Sequence, residues 1–141
     1  MKVYVDGVLQ NLPVSEADDW MTTSSISVSD STQVIGIECH DLHDQPGILA
    51  SVSNGFLTDA SWYCSPVFEA GWADPSFAAN SGNWQVATTM GRNGDSLSPW
   101  NIEVSHIDAD AEWIWTDRNK WPTDIDQTVY CRKVMIEPPS K

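Results

Sequence analysis

The sequence predicts an all-β fold of the sandwich type, and three observations carry that prediction. Short runs of β-branched and aromatic residues recur along the whole chain. Turn-forming dipeptides separate them, and helical periodicity is nearly absent: no window of about a dozen residues places apolar side chains at i, i+3, i+4 and i+7 between caps.

The first run, residues 3–5, ends at Asp6-Gly7, a pair suited to a tight turn at positive φ. The second, 33–39, holds Val34, Ile35 and Ile37, and the third, 48–52, follows Pro46-Gly47 and precedes Asn54-Gly55. Residues 61–64 and 84–89 each contain a Trp, and Asp74-Pro75 breaks the chain between them. Residues 111–116 carry two more Trp, Asn93-Gly94 and Trp121-Pro122 mark turns on either side, and 128–136 close the series. Alternation of apolar and polar positions is only partial, as in central strands covered on both faces. The longest connections, 65–83, 91–101 and 117–127, are the places where a rigid sandwich carries function.

A length of 141 residues fits a single domain over 1–141, with Pro138-Pro139 leading into a short exit tail at 137–141. Twenty acidic against seven basic side chains give a formal charge of −13, which makes phosphate backbones and anionic membranes poor partners, so no nucleic-acid partner is expected. No stretch approaches the roughly 18 apolar residues of a membrane span, and the N-terminus lacks the basic and apolar regions of a signal peptide. The Ser/Thr/Asn-rich, Lys-poor composition leans toward a secreted or extracellular setting. Cys39, Cys64 and Cys131 exclude a CxxC motif and leave buried thiols or one disulfide with an odd Cys.

Eight Trp beside three Tyr and three Phe is a heavy aromatic load. Trp62, Trp84, Trp113 and Trp115 fall inside strand runs and are assigned to the core; Trp20, Trp72, Trp100 and Trp121 fall in loops, where packing beneath a loop competes with stacking on sugar rings.

His40-Asp41-Leu42-His43-Asp44 offers two imidazoles and two carboxylates in five residues. Such a cluster suits ligand hydrogen bonding or a metal, against the plain alternative of a solvated polar loop, and its spacing is neither a zinc motif nor an EF-hand. Glu16, Asp18 and Asp19, like Asp108, Asp110 and Glu112, read as charged surface before they read as a calcium site. Arg92-Asn93, followed by Gly94-Asp95, sets a donor fork beside acceptors, chemistry that grips vicinal hydroxyls or forms a structural ion pair. No Gly-x-Ser-x-Gly elbow or other catalytic spacing stands out, so no enzyme activity is expected.

Several segments, in order, resemble the galactose-binding-domain-like jelly-roll modules that accompany α-L-rhamnosidases and β-galactosidases: Val3-Tyr4-Val5-Asp6-Gly7, Val34-Ile35-Gly36-Ile37, Gly47-Ile48-Leu49-Ala50, Thr58-Asp59-Ala60-Ser61-Trp62, Asn83-Trp84-Gln85-Val86-Ala87 and Ser98-Pro99-Trp100. Ala111–Thr116 and Val129–Lys133 are similar to a strand pair that precedes the first segment in those modules but closes this chain, as in a circular permutation. The resemblance implies a jelly-roll β-sandwich, often carbohydrate-binding, with a structural calcium in some members. It also implies a Cys39–Cys131 bridge with Cys64 left as a thiol.

The resulting expectation is a non-catalytic, lectin-like module, extracellular, that binds a glycan through His40, Asp41, His43, Asp44, Arg92, Asn93 and Trp121. Neutral sugars such as galactose or rhamnose are favoured because the net charge repels sulfated or sialylated ones. No cofactor is required, with calcium the one open candidate, and avidity would come from a homo-oligomer or a multi-module protein. The alternative is an extracellular structural or adhesive module that contacts proteins and binds no sugar.

Overall fold

The computed structural model describes residues 1–12, 25–41, 47–52, 56–95, 103–104, 106–116 and 127–135, with the side chains of Asp41 and Gln127 excepted. Among these residues eight strands run β1 (Lys2–Val5), β2 (Val8–Leu9), β3 (Val34–Asp41), β4 (Tyr63–Ser65), β5 (Gln85–Val86), β6 (Thr88–Arg92), β7 (Glu112–Trp115) and β8 (Gln127–Val134), and no helix occurs. A six-stranded antiparallel sheet has the order β2-β1-β3-β8-β4-β5, and β6 pairs with β7 in a second sheet. The architecture is all-β and consistent with a sandwich.

The β1–β2 turn forms because Asp6 (φ 49) and Gly7 (φ 84) both occupy the left-handed region that a two-residue hairpin requires. The Asp6 carboxylate then accepts hydrogen bonds from the backbone N–H of Gln33 and of Val34, each 2.8 Å, tying the turn to the start of β3. Strand β3 pairs with β8 along eight residues, from Val34 opposite Val134 to Asp41 opposite Gln127. Ile48 extends the second sheet by exchanging both backbone hydrogen bonds with Ile114, at 3.0 and 2.9 Å.

One core lies between the sheets. Val3, Ile35, Ile37, Cys64, Val129 and Cys131 come from the larger sheet, while Ile48, Met90, Trp113, Ile114 and Trp115 come from the opposite side. Full burial of an aromatic or aliphatic side chain contributes roughly 1.5–3 kcal/mol, so this cluster dominates stability. The run 84–89 is divided: β5 belongs to the large sheet and β6 to the small one, and buried Ala87 turns the corner, its N–H bonded to the Trp62 carbonyl at 2.9 Å.

The disulfide joins Cys64 to Cys131 and leaves Cys39 outside it, which corrects the pairing implied by the family resemblance. The reason is register. On β8, Cys131 stands directly opposite Cys64 of β4, with 4.1 Å between Cα atoms, whereas its neighbour on β3 is Ile37 and Cys39 faces Val129.

Candidate binding site

The outer face of the large sheet presents Tyr4 from β1, Gly36 from β3 and Arg132 from β8 side by side, since Tyr4 pairs with Gly36 and Gly36 with Arg132. Tyr130 lies on the same face, two residues along β8. The long connection between β4 and β5 folds over this face and buries Trp72, Ala73 and Trp84 against it, with Tyr4, Phe77, Ala79 and Tyr130 at its margin. Gly36 makes the fit possible, because a Cβ there would come within 2.8 Å of the Trp72 ring.

The rings form a connected set. Trp72 meets Tyr4 and Tyr130 edge-on at 5.4 and 5.2 Å and stacks with Trp84 at 6.3 Å; Phe68 meets Tyr130 at 5.7 Å and Phe77 meets Trp84 at 5.7 Å. The Glu69 carboxylate accepts from the Trp84 indole N–H at 2.7 Å and the Ser81 hydroxyl at 2.8 Å, which satisfies the polar edge of the buried ring.

Arg132 is only 5% exposed. Its Nη2 donates to the Asp74 carbonyl at 3.1 Å, its guanidinium lies 5.4 Å from the Phe77 ring centroid, and its Nε has no hydrogen-bond partner among the described residues. Burial pushes its pKa below the usual arginine range. Burial also raises the Tyr130 phenol, helped by the nearby Glu38 carboxylate. Lys2 pairs with Glu38 at 3.6 Å.

At the margin of this layer a cavity of about 190 Å³ opens between Tyr4, Gly7, Phe68, Gly71, Trp72, Ala73 and Asp74. Phe68 is 61% exposed and offers an accessible ring. The Asp74 carboxylate approaches Gly7 so closely that any Cβ there would collide with it. Among the described residues no hydrogen bond to that carboxylate is present; the bonds of Asp74 run through its backbone, to Gly71, Phe77 and Arg132. The cavity therefore combines accessible aromatic surface with an acceptor left to solvent or ligand.

Of the residues singled out from the sequence, His40, Arg92 and Asn93 do not line this cavity. His40 is exposed near the Asp41 end of β3, away from the Val34 end that holds the β1–β2 turn, and its Nδ1 lies 2.7 Å from the Thr128 hydroxyl. The Asp41 backbone pairs with Gln127, but the Asp41 side chain, His43, Asp44 and Trp121 lie outside the described residues, as do Trp20 and Trp100. Arg92, at the end of β6, is exposed and faces Asp110 at 3.7 Å.

Asn93 does not project beside Arg92. It is buried, its amide donating to the carbonyls of Val104 and Ile107, both at 3.0 Å, and accepting from the Val104 N–H at 2.7 Å. With these bonds made, the side chain is a strut for the residues that follow rather than a ligand contact. Among the described residues no group of three or more His, Cys, Asp or Glu is placed to hold a metal ion.

Sequence reasoning marked the connection over 65–83 as a functional loop and Trp72 as a loop Trp, but not Tyr4, Phe68 or Asp74 as site residues. The available signal was Gly71-Trp72-Ala73-Asp74-Pro75, an aromatic and a carboxylate set in a turn two residues apart. Comparison with known proteins finds no match to any family model, curated protein or solved structure.

Proposed function

We propose that this chain is a non-catalytic, lectin-like carbohydrate-binding module on a galactose-binding-domain-like jelly roll, acting outside the cell, and that the saccharide seats in the cavity between the β1–β2 turn and the loop over the large sheet. One observation carries the reading: exposed Phe68 and half-buried Tyr4 border a small cavity together with the Asp74 carboxylate, which accepts no hydrogen bond from the described residues. A pyranose has an apolar face for the rings and vicinal hydroxyls for the carboxylate, and a small concave site with few convergent polar groups suits one sugar unit. The charge of −13 disfavours sulfated and sialylated glycans and leaves neutral residues such as galactose or rhamnose, or positively charged ones, as the ligand class.

The test is a glycan array followed by titration of the hits with the full chain and with Phe68→Ala. Selective binding to a related set of sugars without negative charge is expected, weakened roughly three- to tenfold by loss of the ring. A blank array with folded, concentrated protein would favour the second reading, an adhesive module that contacts proteins. Val8 and Leu9, 64% and 54% exposed on the edge strand β2, are the observation on its side.

A further inference from the structure

We infer that the cavity beside Asp74 selects a saccharide bearing a free, protonated amine, an amino sugar that has lost or never carried its acetyl group. The inference rests on the sugar-binding reading and narrows its ligand class. Three features point the same way. The first is the carboxylate: Asp74 lines the cavity, and Arg132, the nearest buried cation, is not a lining residue and spends its bond on the Asp74 backbone carbonyl instead. A sugar hydroxyl in this place makes an ordinary hydrogen bond to the carboxylate, whereas an ammonium makes a charge-assisted one of about twice the strength.

The second feature is the rings. Half-buried Tyr4 and exposed Phe68 border the same space, and an aromatic ring attracts a cation held over its face. The third is the field of the whole chain, whose formal charge of −13 favours a cationic ligand over a neutral one.

The experiment titrates the full chain, at 150 mM salt to screen long-range attraction, with the β-1,4-linked trimer of glucosamine, its N-acetylated counterpart, lactose, and Nα-acetyl-lysine amide as an ammonium without a sugar. The glucosamine trimer is expected to bind about tenfold more tightly than the N-acetylated trimer. Asp74→Asn is expected to erase that difference while leaving the thermal midpoint near wild type, since no described residue donates to the carboxylate; Phe68→Ala should weaken both trimers together. Equal affinity for the two trimers, or tighter binding of lactose, overturns the amine inference and leaves the sugar reading standing. Binding of the lysine derivative as tight as that of the glucosamine trimer also overturns it, because the site then reads a cation and not a sugar. No binding of any saccharide removes both readings.

Discussion

A single amide decides how the turn after β6 behaves. Asn93 has three of its hydrogen-bonding positions filled by the backbone around Val104 and Ile107, and its own N–H bonds the Ala111 carbonyl at 2.8 Å. Replacing it with Ala strands two carbonyls and one N–H. Asn93→Ala is therefore expected to lower stability by roughly 2–4 kcal/mol in urea denaturation, while sugar titrations of the remaining folded protein stay at wild-type affinity. The dipeptide Asn93-Gly94 was legible as a turn, because both residues tolerate left-handed backbone. Which way the amide would point was not, since that depends on backbone groups eleven to fourteen residues downstream. Arg132 is a similar case. Its place in an alternating strand run shows in the sequence, but its burial beneath a folded-over loop does not.

Among the elements, the connection between β4 and β5 is the one whose nature the sequence disguises. Its Gly, Pro, Ala and Asn content reads as surface loop, yet it buries Trp72 and Trp84 and forms a second apolar layer on the outer face of the sheet. The layer depends on the flat floor at Gly36. Gly36→Ala is expected to displace Trp72, because the ring and Ala73 both lie within about 3 Å of the new methyl and one of them must shift. The cost expected from overpacking is about 1–3 kcal/mol, accompanied by loss of the proposed sugar binding and by increased exposure of Trp fluorescence to quenchers, while the main core on the other face keeps its packing. The strands themselves were readable: the runs at 3–5, 33–39, 111–116 and 128–136 match β1, β3, β7 and β8 to within two residues at each end. Residues 48–52 give only isolated bridges, and β2, two residues long, has too short a pattern to show.

For the whole molecule, local pattern predicts strands but not their neighbours. The larger sheet is assembled from pairings that span most of the chain, and the disulfide follows from which strand flanks β8 on each side. Closing a loop of 67 residues, the Cys64–Cys131 bond is expected to contribute roughly 4 kcal/mol, so Cys64→Ser or Cys131→Ser should lower the unfolding free energy measured in denaturant by about that amount. Thiol titration of the oxidised wild-type protein in denaturant should find one reactive sulfhydryl per chain, that of Cys39. The sheet order also bears on biosynthesis. Strand β8 stands between β3 and β4 yet follows both in sequence. A ribosome delivers the thiols of Cys39 and Cys64 first, on two strands with nothing yet to stand between them. An oxidant arriving at that stage meets only the non-native couple, and a bond formed then must be undone by exchange before Cys131 can claim its partner. Oxidation after translation is therefore expected to give more native protein than oxidation during it, a matter of timing that the finished fold no longer displays.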